Sequence, residues 1–312
     1  MKNGFEKHPL LTGVLIAIFA IAFLLVAFEG LARYGLGLGR VVVYDAHPIY
    51  GFRPKPNQSV TRLDHTVTLN EDGLRAHPDW AITPFQKRIL FLGDSVTYGG
   101  SYINNDKLFS RHAAQALDLI DGNAAVNAWG VLNIHALITE MPFLPATTYV
   151  TVLPEGDFYR GLNRIGGQPF WTKQPQFALE EIIYYGLYKL NLRMNGFLNP
   201  QTLPLQEQHQ IVNVAVRYLK EMDVFIKSKG YQHVIFITPS LDQAKHKAPL
   251  DKLVQDALSS TALEVYYLID DVQKQDEIDS LFYDSIHLTE KGHTVWGELI
   301  SNQLIQKLIA NT

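Results

Sequence analysis

Cysteine is absent from the 312 residues of the chain. Without thiols the chain can form no disulfide bond, and it can supply neither a cysteine nucleophile nor thiolate ligands for zinc or an iron–sulfur cluster. An excess of basic residues is lacking too, since 27 Lys and Arg stand against 31 Asp and Glu. Proteins that bind nucleic acid usually carry a basic surface that neutralises phosphates. The composition therefore gives no support for a nucleic-acid partner.

Internal repeats and low-complexity tracts are also lacking. Hydrophobic residues make up 47% of the chain and charged residues 19%. This is the composition of a globular protein, and it excludes a disordered or collagen-like one. The length suffices for one large domain or two small ones with a sizeable core.

One long hydrophobic run stands near the start of the sequence. The nineteen residues from Leu10 to Phe28 carry no charge, and a helix of that length would span roughly 28 Å, the hydrocarbon thickness of a bilayer. The run is longer than a signal-peptide core, and Phe28 to Ala32 match a cleavage site poorly. We therefore expect an uncleaved membrane anchor, with a cleaved signal peptide and a buried core helix as the alternatives.

The charges around this run predict its orientation. Lys2 and Lys7 precede it and Glu29 follows it, so the positive-inside rule places the N-terminus in the cytoplasm. Arg33 and Arg40 reduce the contrast. The prediction is a single-pass membrane protein that contacts the lipid bilayer through residues 10–28 and holds its C-terminal domain outside the cytoplasm, in the periplasm or at the cell surface.

Beyond this run, the sequence pattern changes near residue 86. Residues 31–85 are rich in turn-forming residues and predict short strands and turns. After residue 86, short apolar runs alternate with segments of helical spacing, which predicts an α/β fold with a mainly parallel, doubly wound sheet. The predicted strands are residues 89–92, 124–126, 149–153, 233–238 and 265–269. We thus predict a cytoplasmic stub with the anchor (1–30), an extracytoplasmic lead-in (31–85) and a main domain (86–312).

Residues 155–204 fit the alternation least well and are predicted to be an insertion. The segment holds Trp171 and an aromatic stretch from Ile182 to Tyr188. We expect these aromatic side chains to pack into a small core of the insertion's own. The alternative is a lid or a substrate-binding wall, because long irregular segments in α/β enzymes often lie beside the active site.

A serine and a histidine stand where a nucleophile and its base would be expected. Ser95 follows the predicted strand 89–92 within Gly93-Asp94-Ser95, and the carboxyl ends of parallel strands are where such sheets bind ligands. Asp284 stands three residues before His287, so its carboxylate could hold the imidazole in one tautomer. A serine hydroxyl needs such a base to attack an ester near neutral pH. The pattern indicates a Ser–His–Asp triad.

These two blocks, Gly93-Asp94-Ser95 and Asp284-Ser285-Ile286-His287, resemble those of the SGNH/GDSL hydrolase superfamily. The resemblance covers residues 86–312, and a run from Leu69 to Arg75 is similar to the lead-in of membrane-anchored members, which extends it to about residue 45. It implies a flavodoxin-like three-layer α/β/α sandwich, the SGNH hydrolase fold, without a metal or organic cofactor. It also implies that Ser95 is the nucleophile, His287 the base and Asp284 the residue that orients the base.

The same resemblance implies an oxyanion hole of three donors. The backbone N–H of Ser95 and that of Gly130, in the stretch Asn127 to Gly130, would be two of them. The third in the family is an Asn side chain, and here Gly156 stands in its place. Losing one such donor typically costs about 10²- to 10³-fold in turnover. The candidates to replace it are a backbone amide or one of three side chains, those of Asn127, Asn133 and Asn163.

Three further residues are candidates for substrate binding. Arg160 and Arg164 follow the third block and could hold a carboxylate or phosphate, or could be solvated loop charges. Trp171 belongs to the insertion and would contribute to a binding wall. We expect His293 to be a packing or capping residue, and no metal ligands are predicted.

The leading hypothesis from the sequence is a membrane-anchored, extracytoplasmic serine esterase that acts through an acyl-serine intermediate. The resemblance to anchored relatives favours O-acyl, above all O-acetyl, esters of envelope carbohydrate as substrate, and lipid esters next. Whether water or a sugar hydroxyl accepts the acyl group stays open, so an O-acyltransferase is an alternative. Two others are a catalytically degenerate fold that binds glycan or acts as a scaffold, and a cytoplasmic metabolic esterase.

Overall fold

The computed structural model describes residues 8–140, 144–165, 170–195 and 203–310. The cytoplasmic stub predicted from Lys2 and Lys7 lies outside the described residues, as do residues 166–169 and 196–202 of the predicted insertion.

The first described element is an apolar helix, α1 (Pro9–Gly30), which continues into a π-helical turn at Leu31–Gly35. Pro9 stands in its first turn, where the missing N–H of proline costs no hydrogen bond. None of the residues of α1 is buried against the rest of the protein. The stretch Pro9–Gly35 is long and apolar enough to cross a membrane, a property that an N-terminal signal sequence shares. The predicted apolar helix is therefore confirmed, and its orientation stays a prediction.

Two antiparallel hairpins follow in the lead-in. Strands β1 (Tyr44–His47) and β2 (Gly51–Pro54) form the first, and β3 (Gln58–Arg62) and β4 (His65–Leu69) form the second. Their inward side chains, such as Phe52 and Val67, are fully buried. The lead-in thus packs as part of the folded body.

The centre of the molecule is a five-stranded parallel sheet. Its strands are β5 (Arg88–Gly93), β6 (Ile120–Asn123), β7 (Thr148–Pro154), β8 (Gln232–Thr238) and β9 (Val265–Tyr267). They lie in the order β6-β5-β7-β8-β9, all parallel. This is the flavodoxin-like order, in which the order of the strands along the sheet reverses between β5 and β7. The predicted mainly parallel α/β fold is confirmed.

Helices cover both faces of the sheet and make three layers. Leu90 and Leu92 of β5 pack with one set of helices, and Ile89 and Phe91 pack with the other, because alternate side chains of a strand point to opposite faces. The first set comprises α4 (Val131–Glu140), α6 (Leu205–Ser228) and α8 (Lys252–Ser259). The second comprises α3 (Phe109–Ala116), α7 (Leu241–His246), α9 (Ile269–Val272), α10 (Ile278–Leu281) and α11 (Glu290–Ala310). Two helices remain, α2 (Ser95–Tyr98) and α5 (Ala178–Asn195).

Two predicted strands are misplaced. The strand expected at residues 124–126 is β6, which lies earlier, at Ile120–Asn123. Backbone hydrogen bonds to β5 continue beyond its end, as the N–H of Val126 donates to the carbonyl of Gly93. The strand expected to reach Ile269 stops at Tyr267, and Ile269 begins α9. In both cases the strand was predicted where the apolar residues stand. The strand β6 instead contains the buried polar residues Asp121 and Asn123.

Candidate active site

Ser95 lies on a sharp strand-to-helix turn at the carboxyl end of β5. Asp94 caps the short helix α2, since its carboxylate accepts the backbone N–H of Val96 at 2.9 Å. A side chain at Gly93 is impossible here, because a Cβ would lie 2.5 Å from the carbonyl oxygen of Val152 on the neighbouring strand. The turn therefore presents Ser95 at the point where the strand order reverses.

His287 reaches Ser95 from the loop between α10 and α11. The Nε2 atom of His287 lies 2.9 Å from Oγ of Ser95, and its Nδ1 atom lies 2.7 Å from Oδ2 of Asp284. The structure thus brings together the three residues predicted as nucleophile, base and orienting carboxylate, in one hydrogen-bonded chain.

Asp284 is fixed by more than the imidazole. Its other oxygen accepts the backbone N–H groups of Ile286 and His287, at 2.9 and 2.8 Å. Partial burial acts to raise the pKa of Asp284, but the hydrogen bonds from these two N–H groups and from the ring of His287 outweigh it and lower the pKa. The residue is a carboxylate at neutral pH, so His287 would carry its proton on Nδ1 and turn the Nε2 lone pair toward the hydroxyl of Ser95.

A buried charge cluster lies directly behind Ser95. Nη1 of Arg160 donates to Oδ2 of Asp94 at 3.1 Å, to Oδ1 of Asp157 at 2.5 Å and to the carbonyl of Trp129 at 2.8 Å. Both carboxyl groups are fully buried. Burial, followed by the charge of Asp94, raises the pKa of Asp157 well above its usual range, and the nearby carboxyls raise the pKa of Arg160 against its own burial. Arg160 is therefore a fixed cation beside the serine.

The predicted donors of the oxyanion hole are only partly brought to Ser95. Asn127 lines the cavity in front of Ser95, and its side-chain amide donates to the hydroxyl of Tyr44 at 3.3 Å. Gly130 does not line that cavity, and its N–H is directed to Oδ1 of Asn133 at 3.4 Å. A Cβ at Gly130 would lie 2.6 Å from Cβ of Arg160, so this glycine permits the close packing of the arginine.

Ala128 stands at the cavity instead of Gly130. Its backbone is left-handed, with φ of 62°, a conformation that residues other than glycine seldom adopt. The side-chain amide of Asn163 holds the turn by donating to the carbonyl of Ala128. Asn133 in turn donates to the carbonyls of Tyr50 and Asn163. Two of the predicted replacements for the absent Asn, Asn133 and Asn163, therefore support the turn and do not face the substrate side.

Gly156 lies away from the cavity. It belongs to the 3₁₀ turn Glu155–Tyr159 after β7, and no atom lies within 4 Å of where its Cβ would be. Arg160, just after this turn, lines the cavity with Ser95. Its Nη2 and Nε atoms have no hydrogen-bond partner among the described residues. The guanidinium of Arg160, and not residue 156, is thus the group that this segment brings to the cavity.

The cavity in front of Ser95 has a volume of about 980 Å³. Trp171 and Arg160, both predicted as substrate-binding residues, line it. Arg164 does not, because its guanidinium lies on the surface and donates to the carbonyl of Pro48 at 3.0 Å. The prediction for Arg164 is therefore not supported by its position.

The aromatic residues of the insertion line this cavity, contrary to the expected small core. Tyr184 and Tyr185 are about half exposed, and with Tyr188 they form one wall of the cavity along α5. The ring of Trp171 lies 5.0 Å from that of Tyr184. The helix has too few described neighbours to bury these rings, so the alternative of a wall beside the site describes the structure.

The lead-in supports the site through a residue to which the sequence assigned no role. Arg75 is fully buried and donates to the carbonyls of Tyr98, Gly100 and Ile103, at 2.7, 2.6 and 2.5 Å, and to Oδ1 of Asn105 at 2.9 Å. It fixes the loop after α2, which lines the cavity. The lone signal in the sequence was its place in the run Leu69 to Arg75.

The fold and this arrangement of Ser, His and Asp define a class: the chain resembles SGNH/GDSL hydrolases in its three-layer sandwich, in the place of its serine and in the Asp-x-x-His block. No protein-family model and no curated protein matches the chain. Among the described residues no group of three or more His, Asp or Glu is placed to hold a metal ion.

Similar solved structures include hydrolases of this kind. A lipolytic protein of the G-D-S-L family from Desulfitobacterium hafniense shares 14% identity, covering 70% of this chain and 99% of its own, with a TM-score of 0.41. A carbohydrate esterase of family 2 from Corynascus thermopiles shares 15%, covering 80% and 71%, with a TM-score of 0.42. A GDSL-like lipase from Bacteroides thetaiotaomicron shares 11%, covering 74% and 95%, with a TM-score of 0.41. Likeness at this level does not assign a function, which depends on the chain's own residues.

Proposed function

We propose that the protein is a serine esterase that forms an acyl-enzyme on Ser95. The observation that carries this proposal is the hydrogen-bonded chain from Ser95 through His287 to Asp284, with distances of 2.9 and 2.7 Å. A nucleophile within reach of a base, and a base oriented by a third group, is the arrangement that activates a serine hydroxyl.

The reaction follows from these contacts. Oγ of Ser95 attacks the ester carbonyl carbon while its proton passes to Nε2 of His287, and Asp284 stabilises the imidazolium that forms. The tetrahedral intermediate collapses as His287 gives that proton to the leaving alcohol oxygen. Water, or a hydroxyl of an acceptor, then attacks the acyl carbon while His287 takes the proton of the attacking group. The bond between the acyl carbon and Oγ of Ser95 breaks, and His287 returns the proton to Oγ. The net result is ester hydrolysis or acyl transfer.

The negative oxygen of the intermediate needs donors. The first backbone N–H of a helix has no partner within the helix, so the N–H of Ser95 at the start of α2 is available. The N–H of Ala128 lies in the turn that lines the cavity. We assign the third donor to the guanidinium of Arg160, in place of the family's Asn amide. A fixed cation there offsets developing charge without reorganisation.

The substrate we propose is an O-acyl ester of a carbohydrate, with lipid esters next. The support is the cavity itself, which combines aromatic faces such as Trp171 and Tyr184 with polar groups such as Asn127 and Glu181. Such mixed linings bind organic ligands and fix their orientation through a few polar contacts. The apolar helix α1 supports a place at the membrane, and we propose an extracytoplasmic, anchored domain.

Covalent labelling tests the proposal directly. The full chain in detergent micelles is treated with a fluorophosphonate and its hydrolysis of p-nitrophenyl acetate is measured. We expect both signals in the wild type and neither in Ser95→Ala. Ser259→Ala, which changes an exposed serine of α8 far from the site, is the matched control and should keep both. A folded wild type that is inert to both reagents would contradict the proposal and favour a binding protein.

A further inference from the structure

Helix α5 has an apolar side that no described residue covers. Ile183, Leu187 and Leu190 follow the spacing i, i+4, i+7, which places them on one face of a helix. They are 62%, 60% and 52% exposed, and none of them lines the cavity. The opposite side of the same helix forms the cavity wall. A helix that is apolar on both sides needs a second apolar surface.

The first turn of α5 is joined to the end of α1. The carboxylate of Glu29 accepts the backbone N–H groups of Ala178 and Leu179, at 2.8 and 3.0 Å, and so caps α5. Arg33 pairs with the same carboxylate at 2.8 Å. The start of α5 is thus held at the level where the candidate membrane helix ends.

Further contacts fix α5 to the segment that follows α1. Glu181 accepts the N–H of Gly39 at 2.9 Å and pairs with Arg62 at 2.9 Å. These bonds leave α5 little freedom to turn its apolar face elsewhere. Exposed apolar side chains also stand just after α1, at Leu31 and Tyr34, and just before α5, at Phe177.

We propose that α5 lies in the interface of the lipid bilayer into which α1 inserts, with Ile183, Leu187 and Leu190 among the lipids and the cavity opening beside the membrane surface. Tyrosine-rich helices with apolar faces are suited to this zone, where one side meets lipid and the other meets water. The end of α1, a helix that a bilayer would cover, is held against the start of α5 by Glu29, and this contact commits the occupant of the uncovered face to lipid. This deepens the proposed function and rests on it: the ester would be carried by a membrane lipid, such as a lipid-linked glycan.

The absence of cysteine allows a clean test of position. Ile183→Cys and Leu187→Cys are labelled with an environment-sensitive nitrobenzoxadiazole dye in the full chain, reconstituted into vesicles of phosphatidylcholine and phosphatidylglycerol (3:1). Lipids carrying a nitroxide should quench both labels by at least about twofold. Val224→Cys is the control, because this residue is 58% exposed and lies near the end of α6, shortly before β8 begins. That is the amino-terminal end of the strands, opposite the cavity, and the label there should not be quenched.

Two results would overturn the membrane assignment. Equal and negligible lipid quenching at all three positions would show that α5 stands away from the bilayer. Labels at 183 and 187 that resist both lipid nitroxide and aqueous iodide would show that a protein, such as a second copy of the chain, covers the face. Neither reading depends on esterase activity.

A kinetic arm tests the substrate class. The double variant Ile183→Glu with Leu187→Glu should lose about tenfold or more in kcat/KM on an acyl ester embedded in the same vesicles, and should retain hydrolysis of soluble p-nitrophenyl acetate. Val224→Glu should change neither. Equal losses on both substrates, or no loss on the vesicle substrate, would contradict a lipid-borne ester. A wild type that hydrolyses neither would contradict the proposed function, while the quenching result would still decide the position of α5.

Discussion

At the scale of single residues, the triad depends on Asp284 keeping the imidazole in one orientation. Replacing Asp284 by Asn removes the charge and allows the amide to select the wrong tautomer, so we expect kcat to fall by about 10²- to 10⁴-fold with little change in KM. The measurement is steady-state hydrolysis of p-nitrophenyl acetate. Asp279→Asn, which alters an exposed carboxylate paired with Lys245, is the control. Comparable kcat values for the two variants would refute the role of Asp284.

Arg160 and Arg164 offer a matched pair for the third donor. If the guanidinium of Arg160 stabilises the oxyanion, Arg160→Lys should lower kcat by about 10²- to 10³-fold and leave KM nearly unchanged, because the interaction is stronger in the transition state. Lysine keeps a positive charge beside the buried Asp94, so circular dichroism and thermal unfolding should change little. Arg164→Lys, on the surface, should keep full activity. A rise in KM with kcat unchanged would instead indicate that Arg160 binds the substrate in the ground state.

His293 gives stability a dependence on pH. Burial foremost, and then the charges of Arg75 and two histidines, lower the pKa of His293 to about 3. Nδ1 of His293 accepts the N–H of Phe109, so the neutral ring caps α3. The unfolded chain binds this proton near pH 6.5 and the folded chain does not, so the contribution is full above pH 6.5 and is lost as the pH falls toward 3.

Chemical denaturation between pH 7 and pH 4 tests this behaviour. The free energy of unfolding should fall by up to about 1.4 kcal/mol per pH unit from this group alone. His293→Gln should show a shallower fall than the wild type, whatever its stability at pH 7. An unchanged slope in the variant would show that other groups, such as the buried His233, dominate.

The same scale shows what could be predicted about the site. Ser95, Asp284 and His287 could be found because each stands in a short block at a fixed place relative to a strand or helix. The place of Ala128 at the cavity and the pairing of Arg160 with Asp94 could not, since the first depends on a turn held by Asn163 and the second joins residues 66 positions apart in the sequence. Contacts of that kind leave no local pattern.

At the scale of elements, the sheet was predictable wherever its strands are apolar, and β6 marks the limit. Its Asp121 is paired with Arg111 of α3, and the side-chain amide of Asn123 donates to the carbonyl of Thr97 at 2.6 Å. Gly122 gives room to Trp80, whose ring would lie 2.7 Å from a Cβ there. Each residue that argues against a strand is satisfied by a tertiary contact, which the hydrophobic pattern does not contain.

This reading of β6 makes a prediction about stability. Asp121→Ala leaves Arg111 buried without its partner, so we expect a loss of about 3–5 kcal/mol in the free energy of unfolding. Asp256→Ala is the control, because it removes an exposed carboxylate of α8, and it should cost less than about 0.5 kcal/mol. Urea denaturation of both variants measures the difference. Similar losses would show that the buried pair does not hold β6 in the sheet.

At the scale of the whole molecule, the structure joins a membrane-type helix, a lead-in and a three-layer sandwich around one cavity. If α1 spans the membrane in the predicted orientation, protease added to intact spheroplasts should digest the main domain, and alkaline carbonate should not extract the chain. Protection of the domain until the membrane is lysed would reverse the topology. A soluble processed product would show that α1 is a cleaved signal sequence.

Arg75 connects the parts of the molecule in a way that bears on how it can be divided. Three backbone carbonyls of the loop after α2 receive their hydrogen bonds from this one side chain, which the lead-in supplies. A fragment cut at the start of β5 would leave these buried oxygens without donors, at a cost of about 1–3 kcal/mol each. The main domain therefore requires Arg75 from the lead-in, and a fragment that begins at β5 should be less stable than one that retains this residue.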